Sequence, residues 1–227
     1  YPDTSLVKVN WHIKDNTFLT PAGDIACSFS GSFINELVPG MGHNDINSVI
    51  ALSRFEGTWQ GIPIKADTVR ITNLKYPVLE GKFTSRFPLT RLNPILGDNI
   101  FHFDAGTADI DLLYKGGIED DDTTAPYIYG TVKVAGASVS YVPRSLDFTD
   151  VAATLKFTGS DLLIEGVKVR KGTNVLNMDG SILNFLNLYY AAPDKIWLDW
   201  NIKSPQIDLN EFKVFFAQRK SQAARSG

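Results

Sequence analysis

"LVKVNWHIKD", residues 6–15, alternates apolar and polar side chains from Val7 to Lys14. In an extended strand, successive side chains point to opposite faces of the sheet. The alternation therefore predicts a strand with one apolar and one polar face. The apolar positions are Val7, Val9, Trp11 and Ile13.

The same period of two recurs along the chain, which makes it the main signal for the fold. It is clear in "DIACSFSGSF" (24–33), "VLEGKFTSRF" (78–87), "VAATLKFTG" (151–159) and "IWLDWNIK" (196–203). Other segments fit less well, and near Gly106 the apolar parity switches, as a β-bulge would produce. Strands this closely spaced, with little helix between them, predict about ten to twelve antiparallel strands.

A sheet with one apolar face needs something to cover that face. A second sheet, closure of the sheet on itself, a helix or an apolar ligand can do so. We therefore predict a mainly β fold, in which a long curved antiparallel sheet forms a groove or an open barrel or sandwich.

Two or three short helices are predicted to accompany the sheet. In "IDLNEFKVFFAQ" (207–218), Asp208 can cap a helix and Glu211 follows three residues later. Ser181 is a second candidate cap, before "ILNFLNLYY" (182–190). The segment "PLTRLNPIL" (88–96) contains Pro94 and can form only a turn or so.

The chain is expected to form a single domain, 1–227, within which two related halves can be drawn at about 1–97 and 98–227. The basis for the halves is a shared order of features. A strand, a serine, a proline-containing link and a leucine precede a helical turn twice, at Ser85 to Leu89 and at Ser204 to Leu209. Pro205 cannot donate to a strand ladder, so we expect the last strand to end at Lys203.

Composition excludes several classes of protein. A net charge of −3 gives no strong positive field, which argues against a nucleic-acid partner. The single cysteine, Cys27, cannot form an internal disulfide, and its parity with Phe29 predicts a buried apolar position. The sequence also contains no apolar run long enough to span a bilayer.

No catalytic, cofactor-binding or metal-ligating residue is predicted, and we expect no enzymatic activity. His12, His43 and His102 are scattered and match no catalytic or zinc motif. The acidic cluster "EDDDTT" (119–124) lacks the ligand spacing of a calcium loop and is interpreted as an exposed hairpin tip. Trp59 in "GTWQGIP" (57–63) could stack on a sugar, although packing in a hairpin is the simpler interpretation.

The C-terminal part resembles the C-terminal region of AsmA-family proteins. The resemblance runs from about Leu146 to Phe216 and lies in the order of its features. A strand is followed by "DLLIEGVKVRKGTNVLNMDG" (161–180), an Asn- and Leu-rich piece, and "NIKSPQIDLNEF" (201–212), whose Ser-x-x-Ile-Asp-Leu is the most recognisable element. None of these motifs is catalytic.

The resemblance implies a module of the bacterial periplasm, inner-membrane-anchored in the full-length protein, with the anchor outside this segment. AsmA-like proteins are similar to repeating-β-groove proteins thought to conduct phospholipids between membranes. The implied role is phospholipid transport or outer-membrane biogenesis, with phospholipid acyl chains and other envelope proteins as partners.

Apolar-face residues are the candidates for the functional site, and they can either fill an ordinary core or contact lipid. These candidates are Trp11, Ile13, Phe29, Phe83, Phe87, Phe157 and Trp200. A second hypothesis is a β-sandwich module that binds carbohydrate or a protein partner, as in adhesion. The two hypotheses differ in what covers the apolar face.

Overall fold

The computed structural model describes residues 5–19, 23–97, 100–118, 126–188 and 197–213. These residues form one antiparallel β-sheet of eleven strands, in which every strand pairs with the next strand of the chain. The mainly β, antiparallel prediction and the expected strand number are confirmed.

The strands are long. They are β1 Lys8–Phe18, β2 Ile25–Ile34, β3 Val49–Trp59, β4 Ile62–Thr72, β5 Val78–Pro88, β6 Phe101–Gly117, β7 Tyr127–Tyr141, β8 Leu146–Gly159, β9 Leu162–Lys171, β10 Asn174–Leu183 and β11 Trp197–Lys203. Among the described residues the sheet is open, since β1 pairs only with β2 and β11 only with β10.

Strand pairing brings most of the apolar residues of all eleven strands to one face. Directly opposed residues of antiparallel strands lie on the same face, and Trp11 opposes Gly31 while Ile13 opposes Phe29. The same relation continues strand by strand to β11, where Trp200 opposes Gly180 of β10. We call this surface the apolar face and the opposite surface, which carries most of the charged residues, the polar face.

Bulges keep the apolar residues on their face where the alternation breaks. The predicted bulge near Gly106 is confirmed by shifts in the β6–β7 register on both sides of Ala105. Gly106 has a φ of 111°, and a Cβ there would lie 2.6 Å from the Cα of Ala137. Only glycine fits this position.

The buried core lies where a short segment crosses the apolar face between β5 and β6. This segment, the cover, consists of a 3₁₀ turn at Leu89–Leu92 and a one-turn α-helix, α1, at Asn93–Leu96. Its Leu89 is 2% exposed. The buried cluster beneath it contains Ile62, Phe87, Leu89, Ala108 and Ala137.

The other predicted helices differ in part from the structure. Asp208 does cap a turn, a 3₁₀ segment at Leu209–Phe212, by accepting a hydrogen bond from the backbone N of Asn210. The rest of the predicted C-terminal helix lies outside the described residues.

The prediction that Ser181 caps a helix was wrong, because Ser181 lies in β10 and is paired with both β9 and β11. The 3₁₀ turn there begins only at Phe185.

The strand end predicted at Ser204-Pro205 is confirmed. β11 ends at Lys203. The hydroxyl of Ser204 lies 2.9 Å from the carbonyl oxygen of Val175 in β10, to which it donates a hydrogen bond. The division into two related halves stays a prediction.

Candidate functional site

The seven candidate residues all lie on the apolar face, but their burial divides them into three groups. Phe29 and Phe87 are buried, at 8% and 5% exposure. Trp200 is 36% exposed. The other four are half-buried: Trp11, Ile13, Phe83 and Phe157. Two of the candidates therefore belong to a protein core, and the other five present surface.

A cavity on the apolar face lies beside the cover. Its volume is about 340 Å³. Apart from Thr84 and Ser85, its lining is apolar: Trp59, Ile62, Ile64, Phe83, Phe87, Leu92 and Ile110. Phe83 and Phe87, both predicted from the sequence, meet in this cavity. An apolar lining of this kind favours hydrocarbon over polar ligands.

Both ends of the apolar face carry exposed apolar side chains. At the β1 end, Val9 is 46% and Phe18 is 41% exposed. At the β11 end, Leu198 and Ile202 are 64% and 53% exposed. All described strands belong to one sheet, so none of them forms a second layer over these residues.

The polar face has a different chemistry. Ion pairs between neighbouring strands lie there, including Lys65–Glu56 at 2.8 Å and Lys82–Asp111 at 3.1 Å. Exposed pairs of this kind contribute little to stability. A depression of about 650 Å³ crosses β1 to β4 on this face, and its lining combines polar residues with Trp11, Ala51 and Leu52; the polar ones are Asn10, His12, Ser30, Ser32, Ser53 and Thr68. The polar face is therefore suited to water.

The histidines lie apart and each has its own neighbour. His12 Nδ1 is 3.2 Å from Ser30 Oγ. His43 and His102 are each 3.6 Å from a carboxylate oxygen, of Glu36 and Asp104 respectively. Within the described ranges, no group of three or more histidine, cysteine or acidic side chains could hold a metal ion. The acidic cluster 119–124 lies outside those ranges.

Two further residues take the positions expected from their sequence context. Cys27 is buried on the apolar face at 5% exposure, and this burial raises the pKa of its thiol. Trp59 packs against the buried cluster, as a hairpin contact would require.

Sequence reasoning missed the asparagines that fix the loops. Asn93 of the cover accepts a hydrogen bond from the backbone N of Phe103 and donates one to its carbonyl oxygen, both at 2.8 Å. Asn174, 2% exposed, does the same for Asp208, accepting at 2.6 Å and donating at 3.4 Å. An asparagine beside a turn is too common a pattern to predict such a partner.

A membrane-spanning helix is not found in the part of the chain that the structure describes. Comparisons with models of protein families, with curated proteins and with solved structures found no match. The AsmA-like resemblance therefore stays a hypothesis based on the sequence pattern.

Proposed function

We propose that this chain is a non-enzymatic, AsmA-like module of the periplasm that binds phospholipid acyl chains along its apolar face. Its role would be in phospholipid transport or outer-membrane biogenesis, together with other envelope proteins. The observation that carries the proposal is an apolar face that runs through eleven strands of one open sheet.

The size of the apolar face suits acyl chains. Neighbouring strands lie about 4.8 Å apart, so eleven strands span roughly 48 Å across the sheet. The hydrocarbon core of a bilayer, which contains two layers of tails, is about 30 Å thick. Extended tails therefore fit along the face.

The energetics favour tails over water on this surface. Burial of each CH₂ group contributes about 0.8 kcal/mol. The half-buried and exposed apolar side chains, from Trp11 in β1 to Trp200 in β11, form a contact surface for hydrocarbon. Contact with this surface does not depend on the chemical structure of the tail. The polar face, with its ion pairs, can remain in water while the apolar face is occupied.

Photo-crosslinking can test the proposal because adjacent residues of one strand report on opposite faces. In β8, Leu155 opposes Val132 on the apolar face, whereas Lys156 opposes Thr131 on the polar face. We would place a photoreactive benzoylphenylalanine at Leu155 or at Lys156. The protein would be mixed with vesicles that contain radiolabelled phospholipid and then irradiated.

We expect labelled lipid to crosslink at position 155 and at most at background level at position 156. Equal labelling at the two positions would show non-specific adsorption, and no labelling at 155 would overturn the proposal. Lipid extraction from protein purified from cells, followed by mass spectrometry, would identify a bound phospholipid class.

The carbohydrate- or protein-binding alternative lacks a comparable observation. Its proposed sugar-stacking residue, Trp59, packs against the buried cluster. The described strands also form one sheet, whereas a sandwich requires two. We therefore propose only the lipid-binding function.

A further inference from the structure

Among the described strands, β11 lies at one edge of the sheet. In the described part of the chain it pairs with β10 alone, over seven consecutive residue pairs without a bulge. All seven of its residues are exposed. The outer edge of such a strand carries backbone N–H and C=O groups that can pair with another strand.

β11 has few of the sequence features that prevent an edge strand from pairing with another strand. Its sequence, "WLDWNIK", contains no proline and only one lysine, at its last position. At the opposite edge, β1 has a register shift between Ile13 and Asn16, with Asp15 at a φ of 49°. β1 also carries Lys8 and Lys14. Bulges and lysines both discourage edge-to-edge pairing, so β11 is the more receptive edge.

β11 is also complementary to itself in one antiparallel register. When two copies pair around Trp200, Leu198 of each copy opposes Ile202 of the other on the apolar face. On the polar face, Asp199 opposes Asn201, and Trp197 opposes Lys203, which suits a cation–π contact. All seven residues find a partner, and no like charges are opposed.

The alternative edge contacts are poorer. The eleven described strands are an odd number, so β1 and β11 run in the same direction. A β11-to-β1 contact between copies would therefore be parallel and would not close. Pairing of β1 with itself around Trp11 would place Lys8 opposite Lys14 of the second copy.

We propose that β11 pairs with β11 of a second copy, antiparallel and around a two-fold axis that passes through Trp200. The two sheets become one, and their apolar faces lie on the same side. The inference does not depend on bound lipid, and the experiments below use delipidated protein.

Disulfide mapping tests the register. In a Cys27→Ala background, Trp200→Cys places two thiols at the two-fold axis, and mild oxidation should give a covalent dimer on a non-reducing gel. Trp11→Cys is the matched control at the other edge and should remain monomeric. Asn201→Cys tests a register shifted by two residues, in which the two-fold axis passes through Asn201 and Asp199 would oppose Lys203. The proposed register is overturned if Trp200→Cys gives no covalent dimer. It is also overturned if Trp11→Cys or Asn201→Cys gives as much covalent dimer as Trp200→Cys.

Sedimentation equilibrium tests the association without a disulfide. The unmodified chain should dimerise with rising concentration, and Trp200→Lys should weaken the dimer about tenfold, since it removes an aromatic pair and opposes two charges. Trp11→Lys should leave the dimer unchanged, and far-UV circular dichroism would check the fold of both variants. A monomer at all concentrations, or a dimer insensitive to Trp200→Lys, would overturn the proposal. In neither case would the crosslinking result at Leu155 be affected.

Discussion

Two helical turns follow similar stretches of sequence, yet one is buried and the other is exposed. The first is the cover, which begins at Leu89, and the second is Leu209–Phe212. Before each turn a serine hydroxyl donates to a backbone carbonyl oxygen of another strand: Ser85 to Pro63, and Ser204 to Val175. Leu89 is nevertheless 2% exposed, whereas Leu209 is 62% exposed.

The path of the chain explains the difference. The cover lies between two paired strands, and Asn93 fixes it to Phe103 in β6. The second turn comes after β11, the last strand described, and hydrogen bonds join it to Asn174 at the start of β10. A turn that returns into the sheet can bury the apolar face, whereas the turn after the last described strand leaves its own Leu209 exposed.

The largest expected effect comes from the residue beneath the cover. Phe87→Ala should destabilise the protein by about 3–5 kcal/mol, because it leaves a cavity in the buried cluster. Urea denaturation followed by circular dichroism measures the change. Phe101→Ala is the matched control, since Phe101 is 43% exposed and should cost about 1 kcal/mol or less. Similar losses for the two variants would mean that the cover does not create a core.

The two leucines give the direct comparison of the two turns. Leu89→Ala should cost about 2–5 kcal/mol, as expected for a buried leucine. Leu209→Ala should change the free energy of unfolding by no more than about 0.5 kcal/mol. The measurement is again the urea midpoint at constant slope. A large effect at Leu209 would show that the second turn buries apolar surface as the first does.

The attachment of the second turn is expected to depend on Asn174. Asn174→Ala removes both hydrogen bonds to Asp208 and should cost about 1–3 kcal/mol. Amide hydrogen exchange at Asp208 should become faster, because its N–H loses the acceptor. Asn210→Ala, at an exposed position of the same turn, should cost about 0.5 kcal/mol or less. Unchanged exchange at Asp208 in Asn174→Ala would rule out this attachment.

The faces of the sheet were predictable from the sequence, whereas burial was not. Alternation alone placed Phe87 and Trp200 on the same face, because side-chain direction in a strand is a local property. Their different exposure depends on where the cover crosses the sheet, which is a property of the whole chain. For the same reason, the candidate residues were predicted as a set without a division into core and surface.

The wrong helix start at Ser181 has a related cause. Its local sequence allows a helix cap, but strands β9 and β11 both pair with it and extend β10 to Leu183. Tertiary hydrogen bonding overrode a local preference. The bulge at Gly106, in contrast, changes the apolar parity of the sequence itself and could be predicted.

The smallest expected effect lies at the β11 end of the apolar face, at Trp200. Its indole lies over Gly180 of β10, and a Cβ at Gly180 would be 2.3 Å from the indole ring. At a concentration where the chain is monomeric, Trp200→Ala removes only this cross-strand contact and should cost about 0.2–1 kcal/mol. Trp59→Ala is the matched control beside the cover and should cost clearly more, because Trp59 packs against the buried cluster. Equal losses in urea denaturation would mean that the end of the sheet is as well packed as its centre. If Trp200→Ala retains the fold but reduces phospholipid crosslinking from a probe at Leu198, then Trp200 contributes to binding more than to folding.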